Sequence, residues 1–330
     1  GTVVDGQGMA PLARLIFVNG DNAEVKITSI KLKRYGISPD STLGNVYLFD
    51  GARRLTDSAS VSSTIISFND TTGVFTVPAG GSKVISVLAD VDGAVGETVG
   101  VQLVASTDIT TNASSISGNF PVSGNLFTLA SGTNLATIYL NDSTTTVTPA
   151  TASIDPQNDY SIWYDTFVVG TRAVNLERIA FRIGGSVTRS SDIRNFRLLV
   201  DGVQKGSTIA TGDSNDYVTF DLSASPVKLE TGSRAIKVLA DIVGGSNKNV
   251  YLSLRTAADV TAIDSQYLST LVFHRGSTVG SMAVADSGTQ SINSGTLTIT
   301  KLTASPSGDV VDLANNAVLA KYELKAAGER

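Results

Sequence analysis

The feature that most constrains this chain is an internal duplication. The stretch from Val25 to Thr110 recurs from Val174 to Thr261. "NVYLFDG" (Asn45 to Gly51) returns as "NFRLLVDG" (Asn195 to Gly202), one residue longer. "SKVISVLADV" (Ser82 to Val91) returns as "SRAIKVLADI" (Ser233 to Ile242), and "TDIT" (Thr107 to Thr110) as "ADVT" (Ala258 to Thr261). The offset is 149 at Ile27/Leu176, 150 at Asn45/Asn195 and 151 at Asp90/Asp241. So slow a drift marks two copies of one folding unit, and repeat arrays are most often scaffolds.

A third copy is incomplete. "VVDGQGMAPLARLIF" (Val3 to Phe17), "SIDPQNDYSIWYDTF" (Ser153 to Phe167) and "VVDLANNAVLAKYEL" (Val310 to Leu324) align. "SGTNLATIYL" (Ser131 to Leu140) aligns with "SGTLTITKLT" (Ser294 to Thr303), and the first copy has no counterpart of this segment. The expected organisation is a first module over 1–130 lacking its first strand, a second over 131–293, and the opening strands of a third over 294–330. Starting at Gly1 and stopping inside a copy, the sequence reads as a processed product or a piece of a longer array.

The pattern is that of strands. "VGVQLVAS" (Val99 to Ser106) and "VYLSLRTA" (Val250 to Ala257) alternate apolar and polar residues, as strands with one buried face do. "VKITSIKL" (Val25 to Leu32) changes phase between Ile27 and Ile30, which predicts a bulge. Asp50-Gly51 and Asp201-Gly202 are tight-turn signals, because Gly tolerates positive φ. Helical content should be limited to single turns, at Asp40 to Leu43 and Ser191 to Ile193. The expected fold is all-β: two tandem immunoglobulin-like antiparallel sandwiches plus the C-terminal strands of a partial third repeat.

Composition narrows the function. The net charge is −5 and no basic cluster stands out, which argues against nucleic-acid binding. No apolar run is long enough for a membrane helix. Cysteine is absent, so disulfide, zinc-thiolate and cysteine-nucleophile chemistry are all excluded. The single histidine, His274, is not accompanied by any Gly-x-Ser-x-Gly elbow. Gly6-x-Gly8 lacks the further glycine of a dinucleotide loop and reads as a turn.

The chain is therefore expected not to be an enzyme and to need no organic cofactor. Asp90, Asp92 and Glu97, in "DVDGAVGE", form a candidate calcium loop, since closely spaced carboxylates before glycine suit that ion. Asp213, Asp216 and Asp221 form a second, looser acidic group. Trp163, the only tryptophan, reads as core or inter-module packing; with Tyr160 it is also the visible candidate for a carbohydrate contact.

The paired motifs "STLGNVYLFDG" with "PAGGSKVISVLADV", and "SDIRNFRLLVDG" with "TGSRAIKVLADI", resemble the tandem immunoglobulin-like modules of large bacterial cell-surface proteins of surface-layer or adhesin type. The resemblance implies an extracellular, non-catalytic protein of the cell surface and no catalytic residues. Self-association follows as an expectation: a tail strand from 294–330 could complete another copy, giving a head-to-tail filament. The alternative is an adhesin or carbohydrate-binding module directed at a host surface.

Overall fold

The computed structural model describes residues 1–141, 147–277 and 282–327. The molecule is all-β, and among the described residues no helix is long and apolar enough to cross a membrane. Two facing pairs of sheets enclose two main cores, one drawn from residues between Val3 and Leu129, the other from residues between Ala136 and Ile292.

In the first sandwich one sheet runs in the order Ala10–Val18, Ser82–Val91, Leu43–Asp50, Arg53–Arg54, all antiparallel. The opposing sheet runs Thr2–Val4, Phe127–Ala130, Thr98–Leu103, Val25–Tyr35, Ile65–Asn69. Its first pair is parallel, with Val3 beside Leu129. Leu12, Leu15, Val46, Leu48, Ile85 and Val87 face Ile27, Ile30, Leu32, Val99 and Val101 across the core. The predicted phase change is a bulge: Thr110 pairs with Ser29 and Thr111 with Ile27, so Thr28 is skipped and both Ile27 and Ile30 turn inward. The second copy skips Glu177 in the same way, between Leu176 and Arg178.

The second sandwich repeats this plan, with two strands more in its first sheet. Its first sheet runs Val203–Ile209, Ile193–Val200, Gly232–Ile242, Gln157–Gly170, Thr137–Leu140, His274–Arg275. The other runs Ala152–Ile154, Gln290–Ile292, Asn249–Leu254, Val174–Gly185, Tyr217–Asp221. Thr137–Leu140, which belongs to the "SGT" segment, pairs antiparallel with Gln157–Gly170 and buries Ile138 and Leu140 completely. Among the described residues, no strand pairs with the equivalent flank of Ala10–Val18 in the first sandwich.

The turns follow residue chemistry. Asp201 and Gly202 both adopt positive φ between Val200 and Val203, the mirror-image turn that matches strand twist. A single 3₁₀ turn forms at Asp40–Thr42 as expected. Ser191 and Asp192 make a hydrogen-bonded turn on Thr188 rather than a helical one, because Ile193 already begins a strand. Two further 3₁₀ turns, Ser106–Asp108 and Ala257–Asp259, lead into the duplicated "TDIT" and "ADVT" segments, where a carboxylate three residues on accepts the capping N–H.

The tail forms a two-stranded antiparallel sheet, Thr296–Lys301 with Tyr322–Ala327. It pairs with itself instead of joining the second sandwich, and every residue of Thr296–Lys301 is exposed. Leu324, which aligns with the fully buried Phe167, is 65 % exposed.

Candidate assembly interface

The duplicated aspartates explain part of the sequence pattern. Asp90 Oδ1 accepts the Met9 N–H at 2.9 Å, while Oδ2 accepts from Asn45 Nδ2 at 3.0 Å and from the Tyr47 hydroxyl at 3.1 Å. Asp241 does the same work: Oδ1 accepts the Asp159 N–H at 3.0 Å and Oδ2 accepts from Asn195 Nδ2 at 2.8 Å. Met9 and Asp159 both hold positive φ, so each carboxylate pins a strained backbone position at the start of the aligned strand. The separated motifs "N-V-Y-L" and "L-A-D-V" are thus one constellation. Burial, and then the neighbouring Asp90 charge, push the Tyr47 hydroxyl well above the usual tyrosine range.

Asp92 is exposed, and Glu97 Oε2 accepts the Ala94 N–H at 3.2 Å. Among the described residues no group of three or more carboxylate or histidine side chains is placed to hold a metal. Asp213, Asp216 and Asp221 turn to separate partners: Arg53 at 3.2 Å, Arg189 at 2.7 Å and the Ser223 hydroxyl at 2.6 Å. Calcium binding by Asp90, Asp92 and Glu97 remains a proposal for a chelation experiment.

Trp163 lies inside and Tyr160 is half-buried. Trp163 is fully buried, donates Nε1 to the Ala285 carbonyl at 3.2 Å and packs on Phe181. The Tyr160 hydroxyl donates to Gln290 Oε1 at 2.8 Å. His274 is buried, stacks on Tyr139, and places Nδ1 2.8 Å from the Gly276 carbonyl.

Two surfaces bear on assembly. The first joins the sandwiches. The Asp50-Gly51 turn carries Arg53 and Arg54 against the second sandwich. Arg54 donates to the Tyr217 hydroxyl at 3.0 Å and lies 3.5 Å from Asp259, whose side chain is fully buried. Arg178, buried from the other side, donates to the carbonyls of Ala52 and Ala258 and lies over the Phe49 ring. Burial draws the Arg178 guanidinium down to about 10, against the attraction of Asp259. For Arg54 burial acts the same way, but Asp259 and Tyr217 outweigh it and its pKa is raised. Met9, Tyr47, Phe49 and Ala258 form a small apolar core between the two sandwiches.

The backbone adds to this join. Gly8 N–H donates to the Thr270 carbonyl at 3.1 Å, and Gln7 bridges Leu271. A side-chain carbon at Gly8 would stand 2.8 Å from the Leu271 oxygen, so glycine is required for the approach. Arg53, Arg54, Arg178 and Gly8 escape sequence reasoning as junction residues because the aligned positions of the other copy carry different residues, as Asn158 does for Gly8 and Ser29 for Arg178.

The second surface is the unpaired edge of Ala10–Val18. Beside it runs a groove of 380 Å³ that mixes apolar lining residues, among them Leu15, Phe17, Ile27 and Phe120, with polar ones such as Thr111 and Ser115. Ile16 and Val18 are 69 % and 76 % exposed on the outer side of the same strand. Unpaired strand edges with apolar flanks invite another strand.

No family model matches the chain, and no curated protein matches it. Solved structures show low-level likeness. A protein described as an anti-sigma factor domain-containing protein is 13 % identical, with 78 % of this chain and 81 % of that chain covered and a TM-score of 0.18. The C-terminal domain of the Streptococcus agalactiae antigen I/II polypeptide BspA is 8 % identical, with coverages of 87 % and 96 % and a TM-score of 0.18. The secreted serine protease VesC from Vibrio cholerae is 12 % identical, with coverages of 82 % and 50 % and a TM-score of 0.18. Likeness at this level leaves the chain's own geometry as the ground for its function.

Proposed function

We propose that the chain is a non-enzymatic structural protein of an extracellular surface, built as a rigid tandem of β-sandwich modules over 1–130 and 131–293, with 294–330 opening a third. The observation that carries this reading is the junction. Burying Arg54, Arg178 and Asp259 between two copies costs desolvation, which their mutual contacts offset only if the sandwiches keep one fixed geometry. Loosely strung domains need no such arrangement, whereas a load-bearing spacer does. In this reading copies associate head to tail, and the surface is a cell-surface array or filament.

Small-angle scattering tests the reading. Extrapolated to infinite dilution, where copies separate, the native chain should scatter as one rigid particle with a single pair-distance profile. The Arg54→Ala/Arg178→Ala double variant should broaden that profile while each sandwich keeps its strand circular-dichroism signal. A native chain that already scatters as two independently moving bodies would remove the rigid-spacer reading.

A further inference from the structure

We propose that the unpaired edge of Ala10–Val18 accepts the Thr296–Lys301 strand of a second copy, antiparallel, with Thr296 opposite Gly20, Leu297 opposite Asn19, Thr298 opposite Val18 and Ile299 opposite Phe17. The inference rests on the structural-scaffold reading and supplies its partner and register.

The second sandwich holds the template. There Thr137 pairs with Gly170, Ile138 with Val169, Tyr139 with Val168 and Leu140 with Phe167. Phe167 and Gly170 align with Phe17 and Gly20 at the constant offset of this segment. The tail hairpin uses the same ladder: Thr296 pairs with Ala327, Leu297 with Ala326 and Ile299 with Leu324. Leu324 aligns with Phe167, so the ladder makes Leu297 and Ile299 the structural equivalents of Ile138 and Leu140, four residues before the positions that the shared "SGT" would give. In the second sandwich that apolar pair is fully buried; in the tail Leu297 is 62 % and Ile299 61 % exposed. The chain thus presents one sandwich with an open groove and one strand with the matching side chains, in matching register.

The backbone of Ala10–Val18 is ready for pairing. Asn19 N–H donates to the Gly81 carbonyl on the inner neighbour, so by strand alternation Val18 and Ile16 turn their N–H and C=O groups to the open edge. In the second sandwich the corresponding Thr166 carbonyl accepts from Asn141 N–H at 2.8 Å. Moving Thr296–Lys301 from its hairpin partner to this edge exchanges one ladder for another. The net drive is burial of Leu297 and Ile299 beside Phe17 and Phe120. One anchor differs: Asp264 fixes the internal strand by accepting Ala136 N–H at 2.7 Å, and Ala113 aligns with Asp264 in the first copy. A donated strand is therefore held by ladder and side chains alone, and exchanges. Because donor and acceptor lie on different surfaces, the contact is heterologous: each pair keeps a free donor and a free acceptor, and the chain of copies extends into a filament where the rotation does not close a ring.

The test uses the full chain carrying Leu297→Ser and Ile299→Ser, which disables its own donor while leaving the groove intact. A fluorescently labelled peptide of residues 294–302 should bind this chain. Adding Val18→Pro, which removes an edge N–H at a position where an edge strand tolerates proline, should weaken binding at least tenfold. The unmodified chain should sediment as concentration-dependent oligomers, and the two-serine variant as monomer. Failure of the peptide to bind, with both variants shown folded by their melts, overturns the proposal. Peptide binding with an unmodified chain that stays monomeric at all concentrations overturns the second copy as the source of the strand. Neither outcome touches the scattering test of the rigid junction, so the two readings fail separately.

Discussion

Asp90 and Asp241 show how one residue type can serve structure at two aligned positions. Each carboxylate satisfies a backbone N–H at a positive-φ residue and an asparagine amide from the neighbouring strand. Removing it strands those donors, at a cost of about 1–3 kcal/mol per group. Asp90→Ala and Asp241→Ala should therefore each lower the melting temperature of the chain. The drop for Asp90→Ala should be equal in calcium and in chelator; a drop seen only with calcium present would establish the ion at Asp90, Asp92 and Glu97. His274 gives a second residue-scale prediction. Burial lowers its pKa, against the Gly276 carbonyl, so the unfolded chain takes up a proton first as pH falls below about 6.5. Stability should be unaffected by His274 above that point and decline below it, by at most about 1.4 kcal/mol per pH unit. Melts between pH 8 and 5 should show this slope, and His274→Asn should flatten it. Asp192, Asp241 and Asp264, all with lowered pKa, lose their contribution only in a separate window below pH 4.

At the scale of elements, one of the extra strands of the second sandwich depends on one buried acid. Asp264 accepts N–H groups from Ala136, Gln266 and Tyr267 and pairs with Arg172 at 2.7 Å. Asp264→Ala should cost about 3–5 kcal/mol, since it removes the counter-charge of Arg172 and leaves three N–H groups unpartnered. Hydrogen exchange should show Thr137–Leu140 losing protection first. Gly8 acts at the same scale on the junction. Gly8→Val should push the Gln7–Leu271 bridge apart and reduce exchange protection of the backbone N–H at position 8, which donates to Thr270, while the strand signal of each sandwich is retained. These elements were readable to different degrees. The bulge at Thr28 was visible as a phase change between Ile27 and Ile30. The 3₁₀ turn at Ala257–Asp259 was not, because its signal is a single capping carboxylate rather than a period.

For the whole molecule, the buried join of Arg54, Arg178 and Asp259 couples the two sandwiches. Asp259→Ala should destabilise by about 3–5 kcal/mol, because two buried guanidinium groups lose their shared counter-charge. Calorimetry should then resolve two transitions where the native chain shows one. By itself, the sequence determined the all-β class, the duplication and the phase of most strands, because alternation and turn residues are local properties of the chain. It also pointed to Trp163 as packed rather than exposed. Only the tertiary structure decided that Asp90 belongs with Asn45 and Met9, that Arg53 and Arg54 reach across to Asp213 and Asp259, and that the tail strands pair with each other. Those contacts join residues far apart in sequence, and their energies depend on burial and distance, which a linear pattern does not carry.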